Sequence, residues 1–93
     1  MAEQPSTQHE TLIEFPCNFP IKVLGETHPD FTNVVTTTIQ QHIPSFDIHL
    51  IEMRGSAGGK YISLTCTVYV TSKPQLDAIY HSLTAHPLVK VVL

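Results

Sequence analysis

One stretch of the sequence, from Arg54 to Tyr61, has residue types that could bind a phosphate or a nucleic acid. It holds the only arginine of the chain, then small residues from Ser56 to Gly59, then Lys60 beside an aromatic ring. Small residues cradle a phosphate when they lie between a strand and a helix N-terminus. A basic residue next to an aromatic one is typical of strands that stack on RNA bases. The first candidate binding residues are therefore Arg54, Ser56, Gly59, Lys60 and Tyr61.

The surrounding pattern argues against both of these chemistries. Alternating runs flank the small residues, so the segment joins two strands and no helix N-terminus follows it. In the second run, Ser63 and Thr65 are small at positions where an RNA-binding sheet presents further rings. The net charge of -3, with five basic residues, also disfavours binding to a phosphate backbone. We expect no nucleic-acid partner, and the segment is either a solvated hairpin tip or a small cationic contact for an acidic partner or metabolite.

Patterns typical of catalysis or metal binding are missing from the sequence. There is no meaningful Ser-His-Asp spacing and no Gly-rich turn between a strand and a helix. His81 and His86 are five residues apart, which is not the i, i+4 spacing of a helical metal site. Cys17 and Cys66 are too far apart to suggest a disulfide framework, and Cys66 lies on an apolar strand face. We expect a non-catalytic protein without metal or cofactor, in which Cys66 is buried and reduced.

Length and composition predict a single small domain. The chain has 93 residues, of which 42% are hydrophobic. No apolar run approaches the roughly 20 residues of a spanning helix, and no signal-peptide pattern is present at the start. We expect a disordered tail over residues 1–11, one domain over residues 12–93, no membrane partner and a cytoplasmic location.

Hydrophobic spacing predicts four strands and two helices. The strands are expected over residues 19–25, 46–53, 60–70 and 88–93, and the helices over 27–43 and 72–86. The first helix has a β-branched run that favours a strand, but its period and Pro29 outweigh that preference. Thr27 or His28 is the expected N-cap of the first helix, while Ser72 with Gln75 forms a capping box for the second.

The order β-α-β-β-α-β predicts an α+β, ferredoxin-like sandwich. Four antiparallel strands form one sheet with the first and third in the centre, and both helices cover one face. In the second strand we expect Phe46, Ile48 and Leu50 to point inward. In the last strand we expect Val89, Val91 and Leu93 to do so.

The other face of this sheet is predicted to be open. Five apolar residues are expected on it: Leu24, Ile51, Met53, Leu88 and Val92. A contiguous exposed apolar patch usually marks an interface. The alternative is that N-terminal residues such as Leu12, Ile13 and Phe15 fold over this face and cover it.

Four stretches of the chain resemble one family: EFPCNFPIKVLG, RGSAGGKYISLT, LDAIYHSL and HPLVKVVL. They are similar to the YbeD-like proteins, small bacterial proteins of unknown function, and the resemblance covers residues 12–93. It rests on Glu14-Phe15-Pro16, Lys22, Gly25, Arg54-x-Ser56, Gly59-Lys60-Tyr61 and Val92-Leu93. The resemblance implies the same β-α-β-β-α-β fold, which is similar to ACT-like regulatory domains that sense small metabolites. A link with lipoate metabolism has been suggested for this family, so the resemblance implies a regulatory role, and it carries over no catalytic residues.

Two functions remain open at this point. The first is a regulatory domain that associates through the open sheet face with a second copy of itself or with another protein. The second is an ACT-like sensor of a small metabolite. The resemblance implies that such domains pair and bind an effector near the interface, for which the candidates are Gly25, Glu26 and Thr27 after the first strand.

Overall fold

The structure of the protein is a computed structural model that describes residues 13–93. Its elements are β1 (Cys17–Glu26), α1 (Phe31–His42), a short 3-10 helix (Ile48–Leu50), β2 (Ile51–Gly55), β3 (Tyr61–Val70), α2 (Lys73–Thr84) and β4 (Val89–Val92). The strands form one antiparallel sheet in the order β2-β3-β1-β4. The predicted β-α-β-β-α-β order and the central position of the first and third strands are confirmed. The predicted disordered tail lies outside the described residues.

The centre of the sheet is a long antiparallel ladder between β1 and β3. The pairing runs without interruption from Cys17 opposite Val70 to Glu26 opposite Tyr61. Because side chains alternate along a strand, every second residue of each strand faces the helices. The side chains on that face belong to one buried core with residues of both helices. The alternation predicted for these two strands is confirmed.

The helix α1 forms although much of its sequence is β-branched. Phe31, Val35 and Ile39 are fully buried at a spacing of four residues, so one stripe of the helix packs into the core. This burial outweighs the weak strand preference of single residues. The expected N-cap is wrong, because the helix begins after Asp30. His28 instead accepts a hydrogen bond at Nδ1 from the Asp30 backbone N–H, at 3.0 Å.

The helix α2 begins with a side-chain cap, as predicted. The Ser72 hydroxyl accepts a hydrogen bond from the Gln75 backbone N–H at 3.3 Å. The Gln75 side chain reaches back to the Thr71 N–H at 2.8 Å, one residue before the cap itself. The buried position of Cys66 is also confirmed, and burial raises the pKa of its thiol to about 12.

The predicted faces of the second strand are wrong beyond Phe46. Phe46 is buried, but Ile48 and Leu50 are 51% and 49% exposed. The cause is the 3-10 turn before β2, which interrupts the alternation. β2 therefore begins at Ile51, which lies opposite the buried Cys66, while Met53 lies opposite the buried Leu64. Opposite residues share a face, so Ile51 and Met53 lie on the helix-facing side and not on the open face.

The predicted faces of β4 are wrong after Val89. Val91 lies opposite Leu24 and Val89 lies opposite Gly25, so the pairing shifts by one residue at Lys90. Val92 consequently faces the helices and packs against the core, as does Leu88. Neither residue belongs to the open face, where Val91 and the following Leu93 project instead. Of the five apolar residues expected there, only Leu24 is placed correctly.

Gly25 lies where β1 packs closely against the first turn of α1 and against the residue before β4. A Cβ atom at this position would overlap the Leu88 carbonyl oxygen and would lie 2.5 Å from Cε1 of the Phe31 ring. The close packing of β1 against the first turn of α1 therefore requires a residue without a side chain.

We predict that Gly25→Ala lowers the free energy of unfolding by about 1–3 kcal/mol, since the new methyl group overpacks the core. Urea denaturation followed by circular dichroism measures this change. Gly58→Ala is the matched control, because a Cβ there would meet nothing within 4 Å. Equal stabilities for the two variants would contradict the close approach at Gly25.

Candidate functional site

The structure places the candidate effector loop after β1 next to the candidate binding residues of the β2–β3 hairpin tip. Thr27, after β1, donates a backbone hydrogen bond to the Lys60 carbonyl at 2.8 Å. Its hydroxyl donates a second hydrogen bond to the Gly59 carbonyl at 2.7 Å. The β1–α1 loop and the β2–β3 hairpin tip are thus joined into one corner of the sheet. Since β1 and β3 are antiparallel neighbours, the end of one strand must meet the beginning of the other.

Ser56 closes the hairpin tip. Its backbone N–H donates to the Tyr61 carbonyl at 2.9 Å, and its hydroxyl accepts from the Tyr61 N–H at 3.1 Å. Gly59 donates to the Ser56 carbonyl at 2.9 Å and has a φ of +74°, a conformation that favours glycine. The amides of Gly59 and Tyr61 are therefore engaged within the hairpin, and Ser56 and Gly59 have a structural role in forming it.

A cavity of about 250 Å³ opens at this corner on the side of the hairpin. Its lining includes Leu24, Arg54, Ser56, Tyr61 and Ser63. This combination offers a guanidinium for an anion, hydroxyl groups for hydrogen bonds and an aromatic face for an apolar group. Lys60 extends over the Tyr61 ring at 5.4 Å from its centroid.

The open face of the sheet is the surface of its four strands that lies away from both helices. Small hydroxyl residues occupy its middle, and Tyr61 and Tyr69 stand at the two ends of β3 with 46% and 53% exposure. Leu24 lies opposite Val91, and Lys22 exchanges backbone hydrogen bonds with Leu93. Leu24, Val91 and Leu93, called here the apolar corner, are thus neighbours on this face.

Alternation along the sequence placed Val91 and Leu93 in the core, although the sequence held a sign of the irregular pairing in β4. Consecutive valines at positions 91 and 92 cannot both follow a strict alternation of core and surface positions. Of the N-terminal residues expected to cover the open face, Phe15 packs against the hydrophobic core. Leu12 lies outside the described residues.

A second apolar surface lies between α1 and the edge strand β2. Ile48, Ile51 and Met53 line a groove of about 440 Å³ with residues at the beginning of α1. We call it the β2 groove. Ile48 and Met53 are 51% and 58% exposed, so the groove presents apolar surface to solvent. Two of these residues, Ile51 and Met53, were the ones that the sequence assigned to the open face.

The described histidines do not form a cluster. No group of three His, Cys, Asp or Glu residues within positions 13–93 is placed to hold a metal ion. His42 bonds the Ser82 hydroxyl across the two helices at 2.8 Å. The hydrogen bond from the His49 backbone N–H, together with one from its ring, lowers the pKa of the Asp47 carboxyl from its usual value. Neither helix in this part of the chain is long and apolar enough to cross a membrane.

The fold and its surfaces define a small ferredoxin-like domain with one open sheet face. The family described as a protein of unknown function, DUF493, matches residues 10–93. A UPF0250 protein of Paraburkholderia phytofirmans is 50% identical over 88 residues, covering 95% of this chain and 99% of the relative. A UPF0250 protein of Ralstonia nicotianae is 50% identical over 92 residues, covering 98% and 95%. The chain belongs to this bacterial family, which confirms the resemblance to the YbeD-like proteins.

Solved structures show the same fold. The solution structure of protein HP0495 from H. pylori matches with a TM-score of 0.74 and 18% identity, covering 100% of this chain and 98% of that one. The C-terminal domain of the MgtC protein from Mycobacterium tuberculosis matches with a TM-score of 0.57 and 21% identity, covering 88% and 89%. At these identities the two likenesses establish the ferredoxin-like fold alone.

We predict that Thr27→Val loosens the corner of the sheet while the fold is kept. Valine preserves the shape but removes the hydroxyl that bonds Gly59, and the loss for an exposed bond is about 0.5–1 kcal/mol. Hydrogen exchange at the Thr27 and Gly59 amides should become faster, whereas exchange in the middle of β3 should not change.

Thr37→Val is the control for this measurement. Thr37 is also exposed, and its hydroxyl forms no hydrogen bond among residues 13–93. Unchanged hydrogen exchange at the Thr27 and Gly59 amides in Thr27→Val would show that the loop and the hairpin are not coupled through this hydroxyl.

Proposed function

We propose that the protein is a non-catalytic regulatory domain that associates with another protein through the open face of its sheet. The observation that carries this proposal is the apolar corner. Val91 and Leu93 are 44% and 64% exposed and lie beside Leu24, on the face away from both helices. Neighbouring exposed apolar side chains are expected where a partner excludes water.

Charged residues of both signs lie on the open face to one side of the apolar corner. Lys22 and Glu52 lie on either side of Thr65 in the paired strands, and Arg54 follows on the same face. Both signs of charge are thus present beside an apolar patch, as in the polar rim of an interface. A mixed rim does not suit a nucleic-acid backbone, which requires clustered positive charge.

A reducing, cytoplasmic setting is part of this proposal. Cys17 and Cys66 are free thiols, and Cys17 is only half-buried. Free thiols are common where the compartment keeps them reduced.

We predict that Val91→Arg abolishes the binding of a partner, because it places a charge in the middle of the apolar corner. Tagged protein is used to capture partners from a native lysate, and captured proteins are quantified by mass spectrometry. With Val91→Arg, the captured amount of a partner that binds the open face should fall by about tenfold or more, since burying an unpaired charge is costly.

Ser45→Arg serves as the control, because it adds the same charge at an exposed position in the loop after α1. Purified partner and variants then give dissociation constants directly. Equal capture of every partner by the wild type, Val91→Arg and Ser45→Arg would contradict association through this face.

A second candidate function is the sensing of a small metabolite where the β1–α1 loop meets the β2–β3 hairpin tip. The observation that favours it is the cavity of about 250 Å³ beside Arg54 and Tyr61, next to the loop that Thr27 holds. A carboxylate with an apolar chain would match the guanidinium and the aromatic ring. Lipoate has this chemistry, and the suggested link of the YbeD-like family with lipoate metabolism makes it the first probe.

We predict that lipoate raises the melting temperature in a concentration-dependent way, because a ligand that binds only the native state stabilises it by mass action. Arg54→Gln should remove the shift, whereas octanoate, which lacks the dithiolane ring, tests whether the ring contributes. A melting temperature that does not change with lipoate would contradict this candidate and leave the association proposal in place.

A further inference from the structure

The outer edge of β2 presents unpaired backbone groups in the described sheet. β2 is the terminal strand in the order β2-β3-β1-β4 and pairs only with β3. Ser56 donates its N–H to Tyr61, so this is a hydrogen-bonded pair. Such pairs alternate along an antiparallel ladder, which makes Arg54 with Ser63 and Glu52 with Thr65 the next ones. The N–H and C=O groups of Met53 and Gly55 and the C=O group of Ile51 therefore point away from β3, while the Ile51 N–H donates to the Ile48 carbonyl in the 3-10 turn.

A second copy of β2 can satisfy the Met53 groups in an antiparallel arrangement, and the Gly55 N–H of each copy can donate to the Ile51 carbonyl of the other. A two-fold axis through Met53 places the two Met53 residues opposite each other, and each donates its N–H to the carbonyl of the other. The same register places Glu52 of one copy opposite Arg54 of the second copy. These are non-hydrogen-bonded pairs, in which facing side chains are closest.

The charges of β2 select this register over its neighbours. Outward backbone groups must meet outward groups, so the adjacent two-fold registers are centred on Glu52 or on Arg54. These registers would bring two glutamates or two arginines into direct opposition, which is destabilising. Glu52 and Arg54 are both exposed, and neither forms an ion pair with another residue in positions 13–93.

The helix-facing side of the edge offers apolar surface to the same contact. Ile51 and Met53 lie on that side beside Ile48, in the β2 groove. Met53 is 58% exposed in the single chain, and the two-fold pairing places it against its counterpart. Natural edge strands are usually protected by proline, a bulge or repelling charges. β2 has the regular sequence IEMRG, whose charges are complementary to its own antiparallel copy.

We propose that β2 pairs with β2 of a second copy around Met53, giving one continuous sheet of eight strands, four from each copy. The pairing strand has five residues, so the interface is small and the dimer depends on concentration. The inference extends the proposed association function but does not require it, because it uses the edge of the sheet and not the apolar corner. Both open faces lie on the same side of the extended sheet.

Charge exchange between Glu52 and Arg54 tests this pairing. The wild type, Glu52→Arg, Arg54→Glu and the double variant are compared by sedimentation velocity over a wide range of concentrations. Each single variant places like charges opposite each other and should weaken the dimer by about tenfold or more. The double variant restores opposite charges and should dimerise like the wild type. A mixture of the two single variants should form a heterodimer, because one supplies two arginines and the other two glutamates.

Circular dichroism and melting curves establish that each variant is folded. A wild type that stays monomeric at its highest soluble concentration overturns the inference, as does a mixture of folded single variants that does not form heterodimers. If Val91→Arg dissociates the dimer and the charge variants do not, self-association uses the open face, and only the β2 pairing is wrong. If the charge variants behave as expected while Val91→Arg retains every captured protein, the dimer stands and the proposed open-face function is wrong.

Discussion

The antiparallel ladder between β1 and β3 determines the rest of the structure. Its uninterrupted register from Cys17 to Glu26 fixes which side chains of both strands enter the core and which lie on the open face. It also carries the end of β1 to the beginning of β3. The Thr27 bonds to the hairpin tip are therefore a consequence of this register, and so is the closeness of Arg54 and Tyr61 to the β1–α1 loop.

The fold could be predicted from the sequence because its two central strands and two helices each bury a regular stripe. The run from Ile62 to Val70 alternates strictly, and Phe31, Val35 and Ile39 repeat at helical spacing. Such patterns depend on burial along the whole element, so they survive unfavourable local preferences. The β-branched residues of α1 illustrate this, since they form a helix once one stripe of it is buried.

The surfaces were predicted less accurately than the fold, because a shift by one residue exchanges the two faces of a strand. Such shifts occur twice, at the 3-10 turn before Ile51 and at Lys90 in β4. The turn is held by the Asp47 carboxylate, which accepts the His49 N–H at 2.9 Å. Both irregularities are local backbone features of edge strands, where the core does not enforce alternation. They exchange the faces of the very residues that could have formed the open-face patch, and so the candidate site changed while the fold did not.

The two edge strands of the sheet differ in regularity. The two associations proposed for the protein therefore use different parts of the sheet. The edge strand β4 is short and irregular at Lys90, and the Leu93 carbonyl at its end accepts a hydrogen bond from the Tyr80 hydroxyl at 3.2 Å. β2 keeps a regular backbone with Met53 at its centre. The apolar corner lies on β1 and β4, and the complementary charges lie on β2, with β3 between them. A dimer built at β2 would therefore leave both apolar corners accessible, at the two far ends of one extended sheet, where each can bind a partner independently.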